Sequence, residues 1–471
     1  MKIRSLFTNS GGILFSRIFG FVRDLMTASI LGANVYSDIF FVAFKLPNLF
    51  RRIFAEGAFA QSFLPSFIAS RYKTIFAARI LLTFLGIIVV LALLVDLFAA
   101  PVTRLIAPGF DPTATLLAAK YVAIQFWYLP LIFVVTFFGA LLQYKEHFAT
   151  TAFATVLLNI AIIGALLLSR GMEKERILLI LSYSVLVGGA LQVLAHLIMA
   201  RRFRLLRMLG IGLASLEAHS RKVAEDTRRF YKNFFPAIWG NSTAQVMAFL
   251  DTWLASFLVS GSISYLYYAN RIFQLPLALF AIALSTALFP SVAKRIKHKD
   301  EAGALREMKR GFWILLFLLS LATVGGIIFS TEIIWLLFER GAFSRTDTLA
   351  TAQVLQMYLL GLLPFGLGKI FSLWLYSRHE QMKAAKIATW SLAGYAVAAF
   401  ALFQPLGAAG LALASTFSGF VSFSLLVRAF GREKLWAFWE RKYVIILLAS
   451  LLVAGVLMWG FHLLALRYLG V

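Results

Sequence analysis

The 471 residues include no cysteine, only six histidines and only 21 acidic side chains. Without thiols there are no disulfides, thiolate metal sites or cysteine nucleophiles. The histidines, among them His147, His196 and His379, form neither an HExxH motif nor an i,i+4 pair, and no GxxxxGK[ST] loop is present. The carboxylates alternate with cations instead of clustering as a metal-dependent transferase needs. Neither catalysis nor a cofactor is therefore expected. Charge is scarce too: 14% of the residues are charged, where a soluble domain has roughly a quarter.

What is abundant is apolar surface, at 61% of the residues. Runs of about 20 apolar residues mean membrane-spanning helices, because a barrel would show short alternating segments. The net charge of +24 does not point to nucleic acid, since the cations gather in short loops on one side, as the positive-inside rule expects. The opening MKIRSLFTNSGGILFSRIFGF has no small-residue cleavage site and reads as a retained first helix.

Thirteen spans are predicted. Six lie near 5–31, 36–69, 76–106, 113–143, 147–168 and 176–200. Seven follow near 230–259, 263–293, 311–338, 348–376, 384–403, 408–428 and 441–466. One set of loops holds Arg71, Lys73, Lys145, RRFRLLRMLG, KRIKHKDEAGALREMKR, Arg378, Lys383 and GREKLWAFWERK. The other set, GANVYSD, APGFDPT, SGSIS and QPLGAAG, has no cation, with Arg170, Lys174 and Arg176 in one loop and Arg340 and Arg345 in another as the exceptions on that side. That asymmetry predicts a cytoplasmic N-terminus. The reading is an all-α polytopic membrane protein with a six-helix bundle at 1–200 and an amphipathic cytoplasmic linker at 201–229. A second six-helix bundle occupies 230–430, and an extra C-terminal transmembrane helix lies within 431–471. The halves share a weak repeat. LG at 31–32, LP at 46–47 and FLPS at 63–66 are matched by SG at 260–261, LP at 275–276 and LFPS at 288–291. Such duplication is a mark of alternating-access transporters.

The informative residues are the charges inside spans. Span 1 has Arg17, Arg23 and Asp24; span 2 has Asp38, Lys45, Arg51, Arg52 and Glu56; later spans add Asp251, Arg271 and Lys369. Asp38, Lys45, Arg52 and Glu56, spaced by seven, seven and four residues, form one helical stripe, which Arg51 leaves. Pro47 is expected to bend that stripe. A charge at the centre of a span costs about 2.5–3.5 kcal/mol on insertion scales. Internal ion pairs (Arg52 with Glu56, Arg17 with Asp24, Arg23 with Asp38) account for the carboxylates. Lys45, Arg51, Arg271 and Lys369 then lack an obvious local partner. That excess suits an anionic substrate, and arginine in particular suits phosphate through its two-pronged donor fork.

SRIFGFVRD at 16–24, LGA at 31–33, SDIFFVAFKLPNLFRRIFAEGAFAQSFLPS at 37–66, APGF at 107–110 and SGSISYLYYANRIFQLP at 260–276 closely resemble the MurJ (MviN) family of lipid II flippases, of the MOP exporter superfamily. The resemblance runs through at least residues 1–380. It implies two six-helix bundles forming a MATE-like V around a central cavity. It also implies transport of lipid II, an undecaprenyl-diphosphate-linked peptidoglycan precursor, across the bacterial inner membrane. By position it assigns Arg17, Arg23, Arg51, Arg271 and Lys369 to substrate binding. Asp24, Asp38 and Glu56 correspond to gating carboxylates; Lys45 and Arg52, on the same stripe as Asp38 and Glu56, complete the expected gating and ion-pair set. Two departures stand out. Neutral Asn270 and Gln274 occupy positions where the family commonly has Asp and Glu. The family usually has fourteen spans, and one span follows residue 440 here.

The expected mechanism is alternating access driven by the membrane potential, with a coupling ion as a second candidate driving force. Expected partners are lipid II, membrane lipids and cell-wall synthesis or division proteins, and no nucleic acid. The competing readings are a flippase for another polyprenyl-diphosphate saccharide, an ion-coupled multidrug exporter of related architecture, and a non-transporting scaffold for cell-wall enzymes.

Overall fold

The computed structural model describes residues 3–52 and 58–469, of which the side chains of 3–10, 13, 220, 239–242, 244 and 465–469 are left aside. The described residues form helices and no strand. Two compact units divide after Trp253.

The first unit begins with α1 (Ile3–Leu31), α2 (Val35–Phe50), α3 (Phe59–Ala69), α4 (Lys73–Leu97) and α5 (Ala99–Ile106). It continues with α6 (Pro112–Phe126), α7 (Tyr128–Tyr144), α8 (Ala149–Leu168) and α9 (Lys174–Arg202). The polar stretch beyond holds α10 (Leu205–Ala214) and α11 (Leu216–His219), followed by α12 (Ala224–Ala255), whose last turn contains the unit boundary. The second unit starts with α13 (Ser262–Pro276), α14 (Ala283–Lys297), α15 (Glu301–Ile328) and α16 (Ser330–Phe338). It ends with α17 (Arg345–Leu359), α18 (Leu362–Ser377), α19 (Gln381–Phe430), α20 (Arg432–Trp436) and α21 (Arg441–Leu469).

Among the described residues, nine helical stretches are long and apolar enough to cross a membrane, with α6–α7, α13–α14 and α17–α18 each counted as one. Four of the thirteen predicted spans account for the difference. Two predicted spans form the single helix α19, which breaks at Gly407 (φ 57°, ψ −138°), a conformation only glycine adopts without strain. The other three are α1, the α2–α3 pair and α12. Arg17, Arg23 and Asp24 interrupt α1, the α2–α3 pair flanks residues 53–57, which lie outside the described ones, and Asp251 lies in α12. The helices too polar to pass for simple spans are thus mostly those that carry the charges singled out above.

Lipid tails are as apolar as leucine, so helices in a membrane are held by close packing and polar contacts more than by apolar burial. A phenylalanine cluster supplies the packing in the first unit. Phe59 lies 5.1 Å from Phe63, 5.5 Å from Phe84 and 5.4 Å from Phe133, and Phe84 lies 5.2 Å from Phe234. These rings tie α3, α4, α7 and α12 together, each pair contributing about 0.5–1.5 kcal/mol beyond its area. Polar contacts complete the bundle. The Tyr128 hydroxyl donates to Gln192 Oε1 at 3.1 Å, and Gln192 Nε2 donates to the Ala154 carbonyl at 2.9 Å, joining α7, α9 and α8.

The second unit uses the same devices. Tyr265 on α13 donates to Asp347 Oδ1 on α17 at 3.1 Å, and Asp347 itself closes a capping box with Ser344. The apolar window of α21 has no buried residue, so contacts near its two ends fasten it to the bundle. Lys309 pairs with Glu440 at 2.6 Å just before it, and His462 pairs with Glu332 near its other end.

Loop chemistry starts several helices. Asn34 and Ser37 form a capping box at α2, and Asp111 caps α6 with Pro112 at its first position. The Thr113 hydroxyl and the Ala114 N–H, both donating to Asp111, hold its carboxyl below the usual range.

The amphipathic α10 packs against α4. A Cβ on Gly212 would collide with the Thr74 carbonyl, a backbone group with no room to yield. Gly212→Ala should therefore detach α10 from α4. Hydrogen exchange over residues 205–214 should rise at least tenfold while α8 and α9 stay protected, and unchanged exchange would contradict this docking.

Candidate functional site

Arg23 and Asp24, adjacent on α1, form a buried pair. Arg23 Nη2 lies 2.7 Å from Asp24 Oδ1, with the two side chains 12% and 3% exposed. Arg23 Nε donates to the same oxygen at 3.1 Å, and Nη1 donates to Asn159 Oδ1 on α8 at 3.1 Å. Asn159 Nδ2 donates in turn to the Ser16 carbonyl at 3.2 Å, and Ser16 Oγ donates to Thr155 at 2.6 Å. The expected pairing of Arg17 with Asp24 is corrected here: Arg17 is exposed, and among the described residues it joins no ion pair. Seven-residue spacing sets the directions of the two Cα–Cβ bonds, yet the long Arg23 side chain reaches its neighbour's carboxylate across about 100° of helix.

On α2, Asp38 sits buried in the first turn and Lys45 is half-buried. Arg51 is half-buried, and its Nε donates to Asn48 Oδ1 at 3.2 Å; Arg52 is exposed. Glu56, the expected partner of Arg52, lies outside the described residues. Both arginines lie in π-helical backbone that follows Pro47. In the second unit α13 ends at Pro276 and passes through a π-helical turn, Leu277–Ile282, into α14. The two LP sequences of the proposed repeat thus lead into the same kind of backbone. Proline removes an N–H and crowds the carbonyl one turn earlier, and a wider turn relieves that clash.

Arg271 on α13 is half-buried. Its Nη2 donates to the Tyr267 hydroxyl at 2.7 Å, and its guanidinium lies 4.8 Å from the centre of the Tyr267 ring. Asn270 and Gln274, one turn apart, pair with each other through Gln274 Nε2 and Asn270 Oδ1. Two neutral amides here satisfy one another where two carboxylates would repel. Lys369 is exposed on α18 between buried Gly368 and Ile370.

Three guanidiniums thus each have a neutral neighbour that helps set their direction: Asn159 for Arg23, alongside Asp24, Asn48 for Arg51 and Tyr267 for Arg271. A planar guanidinium fixed in this way donates to phosphate oxygens in a set direction. The sequence reading missed all three neighbours. Asn159 was signalled by a lone amide in a highly apolar span. Asn48 and Tyr267 were signalled by i−3 and i−4 spacing to their arginines.

A family model described as lipid II flippase MurJ matches residues 27–470. A Helicobacter pylori protein named "Probable lipid II flippase MurJ" is 52% identical over 414 residues, covering 86% of this chain and 90% of its own. The chain belongs to the lipid II flippase MurJ family. A Buchnera aphidicola relative with the same name is 31% identical over 475 residues, covering 97% of this chain and 90% of its own. A solved structure of lipid II flippase MurJ in an inward closed conformation matches with a TM-score of 0.79 at 24% identity, covering 98% of each chain. An inward-facing MATE multidrug transporter of the MOP superfamily matches with a TM-score of 0.69 at 13% identity, covering 90% of this chain and 95% of its own. At those identities the two structures speak for the fold. The resemblance carried by SRIFGFVRD and the 37–66 block is borne out, and so is an all-α polytopic architecture of the MurJ and MATE type. MurJ is a transporter family, and this member is a multi-pass membrane protein.

Proposed function

We propose that this protein is a lipid II flippase of the bacterial inner membrane, with its N-terminus cytoplasmic. It moves the undecaprenyl-diphosphate-linked precursor from the inner to the outer leaflet by alternating access. The observation that carries this reading is the 52% identity to the Helicobacter pylori relative over 90% of that protein. The arginine geometry gives it a chemistry. Arg17, Arg23, Arg51 and Arg271, with Lys369, attract the diphosphate and its headgroup, while the polyprenyl tail stays in lipid. Asp24, Asp38 and Glu56 compensate the cations when no substrate is bound, with Lys45 and Arg52 as exchange partners. An inside-negative potential favours outward movement of the anion by about 2.3 kcal/mol per charge per 100 mV.

The adjacent arginines just after α2 separate binding from pairing. A hydrogen bond to a charged group contributes about 1.5–3 kcal/mol, or roughly tenfold to a hundredfold in rate. In cells depending on this copy, Arg51→Ala should cut export at least tenfold and raise lipid-linked precursor inside the cell. Arg52→Ala should cut it less than threefold. Normal growth of Arg51→Ala cells without precursor build-up would sink the assignment.

A further inference from the structure

Away from these residues, the ends of α14 and α18 enclose a cleft of about 790 Å³. Its polar lining is Lys294, Lys297, His298, Tyr376, Ser377, Arg378 and His379, and no acidic residue lines it. The carboxylates of the adjoining turn are engaged elsewhere: Asp300 and Glu307 each hold Arg295 at 2.7 Å. Glu380 holds Lys383 at 2.9 Å and reaches Arg378 only at 3.9 Å. Lys294 and Lys297 therefore stand one turn apart on the same helix with a third cation, Arg378, facing the same space.

Cations at a helix C-terminus are favoured by the helix dipole, and cytoplasmic loops favour them generally. Those two effects explain single charges at each end. They do not explain Ser377, which is 8% exposed and whose Oγ meets no hydrogen-bond partner among the described residues. A buried hydroxyl without a partner is costly, and such a group calls for a ligand or an ordered water. The rest of the lining says which kind of ligand. Phe289, Ala293 and Ile296 line the same cleft from α14, spaced i, i+4 and i+7 along one helical face. Phe289 remains 40% exposed. An apolar stripe on a membrane helix thus leads directly into the cationic mouth.

We propose that this cleft binds the phosphate headgroup of an anionic membrane lipid. Lys294, Lys297 and Arg378 supply the charge, Ser377 donates a hydrogen bond to a phosphate oxygen, and an acyl chain follows the Phe289–Ile296 stripe. The site is independent of the transport residues and does not rest on the flippase reading.

The test is native mass spectrometry of the full chain, purified in detergent and titrated with phosphatidylglycerol or phosphatidylcholine. The wild type should retain phosphatidylglycerol at least tenfold more tightly than phosphatidylcholine. Changing Lys294, Lys297 and Arg378 together to Gln should remove one tightly held phosphatidylglycerol. Ser377→Ala should weaken that molecule about threefold while leaving the melting temperature of the lipid-free protein unchanged or raised, a combination that a purely structural serine would not give. Millimolar inorganic phosphate should not displace the lipid. Equal retention of the two lipids, wild-type binding by both variants, or ready displacement by inorganic phosphate would each overturn the assignment. If the triple variant does not fold, Ser377→Ala alone decides.

Discussion

Arg271→Ala should reduce lipid II export by two to three orders of magnitude and fail to support growth in cells that depend on this copy. The magnitude follows from what the side chain is placed to do. A guanidinium that meets a diphosphate donates two parallel charge-assisted hydrogen bonds, and losing both removes about 3–4 kcal/mol. The Tyr267 hydroxyl and ring hold the group in one orientation from one turn earlier on the same helix. Two further substitutions separate charge from geometry. Arg271→Lys keeps the charge and loses the fork, so export should recover only partly. Tyr267→Phe keeps the ring under the guanidinium and loses the hydroxyl, so export should fall about tenfold. Full activity in Arg271→Lys would mean that only a point charge is needed there. Unchanged precursor levels in Arg271→Ala cells would remove Arg271 from the substrate path.

The second large effect concerns stability. Asp24→Ala leaves Arg23 buried with its nearest counter-charge gone, and breaking a buried ion pair by removing one partner costs about 3–5 kcal/mol. In the detergent-solubilised protein this should lower the melting temperature by about 5–10 °C. Changing both residues together, Arg23→Gln with Asp24→Asn, should cost less than the two single changes added, because the amides can bond to each other and to Asn159. A double-mutant cycle should give a coupling of about 2 kcal/mol or more. Additive effects would show that the 2.7 Å contact contributes nothing of its own.

Some of this was legible in the sequence and some was not, for physical reasons. Helix positions came through because apolar run length is set by membrane thickness. The break inside QPLGAAG was marked by proline and glycine, and the structure puts it at Gly407. The LP repeat was visible as two dipeptides, and the structure adds the π-helical turns that give it meaning. That Asp24 pairs with Arg23 and not with Arg17 was not legible. A helical wheel gives the direction of each Cβ, while the partner of a long arginine depends on rotamers and on residues of other helices. Asn159, at position 159 on α8, belongs in the Arg23 site only because α1 and α8 pack side by side. The lipid cleft likewise needs the C-terminal ends of α14 and α18, eighty residues apart in sequence, brought together in space.

The most direct test is leaflet-to-leaflet movement of fluorescent lipid II in vesicles containing the purified protein, with and without an inside-negative potential. The wild type should move lipid II well above the rate in protein-free vesicles and faster than undecaprenyl diphosphate bearing an unrelated saccharide. The potential should accelerate outward movement, and Arg271→Ala should fall to background. No movement by the wild type, or an undiminished rate in Arg271→Ala, would contradict the account.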